Sequence, residues 1–285
     1  MTSAVPVVAF QGAPGAYSEE AVHRIYGPAT ETLPLRENKD VTRAIADGRA
    51  DVGLLPIENT LAGAVLASYD AMLAEPDLHA IGEVVLPIHH CVLGLPGSSL
   101  ASLSVVESHP IALAQCERFF AQHPEVQPRA VYDTAGAASD IALAADITRG
   151  AIASRAAATR YGLVVLAADV EDRPDNQTRF LVLSRTRARL PEGQRVRTLL
   201  ALTVDNKPGG LLRVLTPLAE HGLNLVRLES RPTREPWTYW FVVEFEHQSG
   251  DAAADVVLAE IARVSHSFRA IGTYPAAIET ISRRG

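Results

Sequence analysis

Between residues 4 and 183, short apolar runs alternate with amphipathic stretches, and no other property of the chain narrows its fold so far. Val5–Phe10, Asp51–Ile57, Val84–Leu95, Leu103–Val106, Val126–Tyr132, Gly150–Ala153, Val164–Ala167 and Arg179–Leu183 read as strands. Ser18–Tyr26, Val41–Ala46, Ala64–Leu73, His109–Ala121, Thr134–Ala145 and Arg155–Tyr161 read as helices. Ser18 and Ser108 are placed as N-caps, and Pro110 falls in a first turn. Strand–helix alternation of this kind predicts an α/β domain with mostly parallel sheets.

The pattern breaks at residues 184–197, which are polar and basic and contain Pro191 and Gly193, a linker composition. Beyond it, Thr198–Val204 reads as a strand and Gly209–Glu220 as a helix, with Gly222 just past its end. Leu223–Glu229 and Trp237–Glu246 read as strands, Ala252–Val264 as a helix and Phe268–Tyr274 as a last strand. The order is βαββαβ, a ferredoxin-like unit. Pro217 inside the first of these helices predicts a kink or a 3₁₀ turn. Two domains follow, over 5–185 and 198–276 with a linker at 186–197, which suits a chain of 285 residues.

Charge and composition exclude several function classes. Residues 1–190 hold 15 Lys and Arg against 22 Asp and Glu, and residues 191–285 hold 11 of each, so neither part has the basic excess of a nucleic-acid binder. No apolar run approaches the roughly 20 residues that span a bilayer. The N-terminal residues lack a basic region followed by an apolar one, so a cytosolic protein without a signal peptide is expected. Two cysteines, Cys91 and Cys116, form neither a disulfide framework nor a Cys-rich zinc site. Lys39 and Lys207 are the only lysines, which leaves few candidates for Schiff-base chemistry. His89-His90-Cys91 looks metal-like, but consecutive strand residues point to opposite faces and do not chelate together. No Gly-x-Ser-x-Gly elbow is present.

Four segments at strand ends and helix starts carry polar side chains. Gly12-Ala13-Pro14-Gly15-Ala16-Tyr17-Ser18 lets the backbone approach a ligand at a helix N-terminus, though it matches neither the dinucleotide fingerprint nor a P-loop, and it is equally a plain turn. Pro56-Ile57-Glu58-Asn59-Thr60-Leu61-Ala62-Gly63 lies where open α/β sheets bind ligands, although Asn59 or Thr60 would also serve as a helix cap. In Glu107–Gln115, Ser108 and Gln115 are seven residues apart and would share a helix face, although periodicity alone favours a plain Ser108 N-cap and an exposed Gln115. In Asp175-Asn176-Gln177-Thr178-Arg179-Phe180, Arg179 is a fixed cation suited to a carboxylate, and equally a surface Arg at a strand start.

Taken in order, Gly12–Ser18, Pro56–Gly63, Ser108–Gln115 and Asn176–Phe180 resemble the prephenate dehydratase family. Gly209-Gly210-Leu211 and Glu229-Ser230-Arg231-Pro232 resemble its ACT regulatory domain, so the resemblance spans roughly residues 5–275. It implies two α/β lobes, like those of periplasmic binding proteins, with a cleft that closes on substrate, and a chain that returns to the first lobe at Thr178–Leu183. It implies conversion of prephenate to phenylpyruvate without cofactor or metal. Thr178, Asn59, Ser108 and Gln115 would be catalytic, and Arg179, Thr60, Gly63, Thr134 and Gly136 would bind substrate. Phenylalanine would bind between ACT domains of different subunits of a homodimer or homotetramer. Gly209, Gly210, Leu211, Leu212, Asn224, Leu225, Glu229, Ser230, Arg231 and Pro232 would line that site. Ala16 stands where the family commonly has Ser or Thr, Asp133–Ala138 fits only loosely, and Gly210 replaces a common Ala. Arogenate dehydratase and a cytosolic two-lobed sensor of amino acids or organic anions are the alternatives.

Overall fold

The computed structural model describes residues 6–233 and 235–277; Val5, the expected start of the first strand, lies outside them. Contacts divide the chain into two units. The first runs through Ala71 and resumes over Val84–Phe180; the second joins Met72–Glu83 to the chain from Leu181 onward.

The first lobe is built from β1 (Val8–Gln11), α1 (Tyr17–Tyr26), β2 (Thr32–Leu35), α2 (Asn38–Ala46), β3 (Val52–Asn59), β4 (Gly63–Ala64), α3 (Leu66–Ala74) and β5 (His79–Pro87). Val8, Ala9 and Phe10 are wholly buried, as befits a strand covered on both faces. On α2, Val41, Ala44 and Ile45 form the buried stripe. The second lobe holds β6 (Cys91–Gly94), β7 (Val105–Ser108), α4 (Pro110–Ala114), α5 (Glu117–Gln122), β8 (Gln127–Ala130), α6 (Thr134–Ala144), β9 (Arg149–Ala153), α7 (Arg155–Tyr161) and β10 (Val164–Ala167). The chain then returns to the first sheet as β11 (Gln177–Ser184). The sheets run β2-β1-β3-β11-β5 and β10-β6-β9-β7-β8, so the expected pair of lobes is present.

Several sequence expectations need correction. The run Val84–Leu95 is two strands in different sheets, β5 and β6. The chain changes lobe at Ile88–His90, where Ile88 N–H donates to Asn176 O and Val170 N–H to His90 O. The helix expected over His109–Ala121 is broken. Ser108 ends β7, His109 is the N-cap, and Gln115 closes α4. Asp172, 55 residues away, caps α5 by accepting from Glu117 N and Arg118 N. The second sheet is mixed, because β6 runs antiparallel to both β10 and β9. Ser18 is also not a cap: Ala16 holds that position, and Glu19 accepts from Gly15 N at 2.6 Å.

In the second unit, β12 (Arg195–Thr203), α8 (Gly210–Glu220), β13 (Asn224–Pro232), β14 (Tyr239–Gln248), α9 (Ala252–Val264) and β15 (Ser267–Pro275) form the βαββαβ order, with strands arranged β13-β14-β12-β15. Leu200, Leu202, Val243 and Phe245 pack against Val214, Leu218, Val257 and Ile261 of the two helices. The helix α8 continues as α-helix through Pro217. Arg269 donates to the carbonyls of Met72, Glu75 and Leu78, which ties the 72–83 segment into this unit. Among the described residues no helix is long and apolar enough to cross a membrane.

Candidate active site

Because β1, β2 and β3 are parallel, their carboxyl ends share one edge of the first sheet. There the strand β3 ends in Asn59, and a tight turn follows. Asn59 Oδ1 accepts from Leu61 N at 3.0 Å and Ala62 N at 2.9 Å, while Gly63 pairs with Asn59 at a φ of 80° that favours glycine. Gly63 therefore shapes the turn. Thr60 ties the turn to β11: its hydroxyl donates to Asp175 O and accepts from Gln177 N.

The turn aims the other end of the Asn59 amide at β11. The two N–H groups of Nδ2 are shared among Asn176 Oδ1 (2.8 Å), Gln177 O (3.0 Å) and Thr178 Oγ1 (3.0 Å). Among the described residues the Thr178 hydroxyl accepts this bond and donates to none, so its own proton remains available. Gln115 reaches in from the second lobe, where the break between α4 and α5 turns it inward. Its Nε2 donates to Asn59 Oδ1 at 3.3 Å, and its Oε1 accepts from Asn176 Nδ2 at 2.9 Å. Three of the four expected catalytic residues thus form one bonded cluster. Ser108 does not join it: its fully buried hydroxyl donates to Ile152 O at 2.6 Å.

Two residues given no site role from the sequence complete the cluster. Asn176 is 1% exposed and bridges Asn59 to Gln115. His90 is 2% exposed, with Nε2 3.1 Å from Gln115 Oε1 and Nδ1 2.8 Å from the Tyr17 hydroxyl. Burial holds the His90 pKa below its usual value and the Tyr17 pKa well above its own. The spacing of Ser-x₆-Gln carried no hint of His90, because its partners lie 25 and 73 residues away.

Arg179 follows Thr178 on the same strand, so the pleat sends the two side chains to opposite faces, and Arg179 has contacts of its own. A different cation stands on the carboxyl edge. A cleft of about 400 Å³ is lined by Gln11, Gly12, Ala13, Arg36, Tyr132 and Asp133, with the Arg36 guanidinium 5.9 Å from the Tyr132 ring centre. Asp133 closes one wall, accepting from Ala13 N and Gly136 N, both at 3.0 Å. Gly136 is buried beneath the Tyr132 ring and Thr134 opens α6 beside it. Among the described residues, only His89, Asp169 and Glu171 are grouped as a cation site would need. There Glu171 already accepts from His90 N and lies 2.8 Å from His89 Nδ1.

In the second unit, Gly209 caps α8 in a left-handed conformation. Gly210 behind it is buried, and a Cβ there would lie 2.5 Å from Asp205 O, so this loop leaves no room for the Ala that the family resemblance leads one to expect. Leu211 is half-buried and Leu212 is 66% exposed. Asn224 and Leu225 begin the outer strand β13, and Glu229, Ser230, Arg231 and Pro232 end it.

The prephenate dehydratase family model matches residues 8–188, and the ACT domain model matches residues 198–263. Arogenate dehydratase/prephenate dehydratase 2 of Arabidopsis thaliana, described as chloroplastic, is 37% identical over 278 residues, covering 94% of this chain and 72% of its own. The crystal structure of prephenate dehydratase in complex with L-Phe from Arthrobacter aurescens superposes with a TM-score of 0.86 at 31% identity, over 95% of this chain and 90% of that one. A structure described as GqqA, a novel type of quorum quenching acylase, gives a TM-score of 0.87 at 36% identity, over 95% and 98%.

Proposed function

The chain belongs to the prephenate dehydratase family of lyases, and from that premise we propose that it converts prephenate to phenylpyruvate, carbon dioxide and water, under inhibition by phenylalanine. In this reaction the ring–carboxylate bond breaks and its electron pair enters the ring. The C4–oxygen bond breaks in turn, and the departing hydroxide takes a proton to become water. Aromatisation supplies the driving force, so the protein must hold a dianion, aid the leaving oxygen and limit water.

The observation that carries this reading is the direction of the bonds at Thr178. Asn59 donates to Thr178 Oγ1, which polarises the hydroxyl and leaves its own proton to be donated. A donor is what a departing oxygen requires, although a lone hydroxyl is a weak general acid and acts here as a placed dipole. The acylase description of one structural neighbour would suit a nucleophile whose proton is taken by a base, and at Thr178 the contact runs the other way. A two-lobed sensor has no need of this arrangement. Arg36 in the cleft is the cation we assign to a substrate carboxylate, with Asp133, the residue before Thr134, and the Gly12 loop lining the same cleft.

Arogenate has a specific observation in its favour, since the Arabidopsis relative is named for both substrates. It differs from prephenate in carrying an amine on the side chain, away from the leaving hydroxyl, so the Thr178 cluster serves both. Measuring phenylpyruvate from prephenate and phenylalanine from arogenate decides between them. Turnover of neither acid, with hydrolysis of an acylated amine instead, would overturn the lyase reading.

For regulation, the ACT domain and the relative solved with L-Phe support phenylalanine as effector. Asn224 and Glu229 are five residues apart on one strand, roughly 17 Å at about 3.3 Å per residue. A single amino acid does not bridge that span, so the two ends of β13 suit a site completed by a second copy. The exposed side chains of Leu225, Val226 and Leu228 on this outer strand favour such pairing. Two free, buried thiols, Cys91 and Cys116, fit a reducing compartment such as the cytosol.

A further inference from the structure

The amides of the Thr178 cluster are nearly symmetric in shape, and an amide turned end for end would present the wrong atom to every neighbour. One end of the chain of bonds cannot turn. The backbone N–H groups of Leu61 and Ala62 only donate, so the Asn59 atom facing them is Oδ1 and the atom facing Thr178 is Nδ2. The Gln115 atom facing Asn59 Oδ1 must then be Nε2, which leaves Gln115 Oε1 facing Asn176 and His90. Both must donate to it. Asn176 does so through Nδ2, and His90 does so only if Nε2 carries a proton. Each assignment forces the next, from a backbone turn to a buried imidazole.

The ring is buried, and a neutral ring with a proton on Nε2 has a bare Nδ1, which the Tyr17 hydroxyl satisfies at 2.8 Å. The same hydroxyl is 2.8 Å from His89 O, to which it donates only when its single proton is not given to Nδ1. A charged ring would reverse the Tyr17 bond, with Nδ1–H donating to the phenol oxygen and the phenol proton moving to that carbonyl. In either state Nε2–H stays on Gln115. Glu171 also faces this segment, through His90 N–H and through His89.

We propose that His90 is a positioning residue for the dehydration: its Nε2–H fixes Gln115, Gln115 holds Asn59, and Asn59 keeps its N–H on the Thr178 hydroxyl. His90 does not touch the reacting atoms. Its replacement lowers kcat and leaves KM nearly unchanged, because what is lost is the alignment of a donor used in the transition state. The inference rests on the dehydratase reading above, and one of its tests is independent of activity.

The variants are His90→Leu, His90→Gln, Gln115→Leu and the double variant His90→Leu/Gln115→Leu, assayed with whichever of prephenate and arogenate the wild type converts. Loss of one aligned hydrogen bond corresponds to about a tenfold fall in kcat for His90→Leu, with KM within about twofold. His90→Gln, whose amide can place an N–H near the former Nε2, recovers most of that loss. In the Gln115→Leu background, His90→Leu changes kcat by less than about twofold, since its route to Thr178 is already cut. Full losses that multiply in the double variant, or a His90→Gln enzyme as poor as His90→Leu, overturn the proposal. The ¹⁵N spectrum of the wild-type histidines supplies the independent test and also serves if His90→Leu fails to fold. A His90 ring protonated on Nε2 at neutral pH is expected, and one protonated only on Nδ1 overturns the proposal. A wild type inactive on both acids defeats the dehydratase reading itself, and the spectrum still decides the orientation of the cluster.

Discussion

Asn59 is the residue on which the site turns, because one amide does two jobs. Its oxygen closes the turn after β3 and its nitrogen faces Thr178. Asn59→Ala therefore costs activity and stability together: a fall in kcat of about a hundredfold or more, with a loss of about 1–2 kcal/mol for the unpaired turn amides. A variant that lost only one of the two would contradict this division of labour, as kinetics beside thermal unfolding would reveal. His90 adds a pH dependence. Burial holds its folded pKa below the usual value near 6.5, so the unfolded chain takes up a proton that the folded ring resists. As pH falls from 7 through 6.5 and below, wild type loses stability that His90→Gln keeps. The neighbours Glu171, His89, Tyr17 and Gln115 remain in both proteins, so the difference between the two unfolding curves isolates the ring. A difference that stays flat from pH 7 to 5 would contradict a buried neutral His90.

Two breaks in regular structure create the site, and both were hidden in the sequence for the same reason. The break between α4 and α5 turns Gln115 inward, and its cause is the carboxylate of Asp172, which caps α5 from 55 residues away. The switch from β5 to β6 brings His90 into the cluster, and its backbone partners Asn176 and Val170 lie still farther off in sequence, 88 residues from Ile88 and 80 from His90. Periodicity reads neighbours along the chain, so it recovered the α/β alternation and the βαββαβ order. It ran β5 into β6 and α4 into α5, because the residues that separate them are supplied by the folded state. The residues Asn59, Gln115 and Thr178 were legible through family resemblance, whereas Ser108 and Gln115 were aligned on a helix that does not exist. Asp172→Ala tests the element directly. It costs about 1–2 kcal/mol through loss of the cap and lowers kcat by loosening Gln115. An unchanged melting temperature with unchanged kcat would remove Asp172 from the account.

At the scale of the whole molecule, the proposed catalytic and regulatory residues fall in different units, and the net charge of the chain is a poor guide to either. The acidic excess lies in the part proposed to bind a dianion, where Arg36 and the polar edge of the first sheet oppose it. The regulation proposed here depends on the outer strand β13. Leu228→Asp, which places a charge on its exposed apolar edge, is expected to weaken self-association and inhibition by phenylalanine together, as sedimentation and a phenylalanine titration would register. Coupling between effector and substrate must also be reciprocal, so substrate weakens phenylalanine binding by the factor by which phenylalanine weakens substrate binding. The central claim is narrower: the Thr178 hydroxyl, held by Asn59, is the donor that the leaving oxygen meets. The most direct test is kcat for the accepted substrate in Thr178→Val, a variant of nearly equal shape without the hydroxyl. A fall of about a hundredfold or more with an unaltered circular-dichroism spectrum is expected, and near-wild-type turnover would contradict the account.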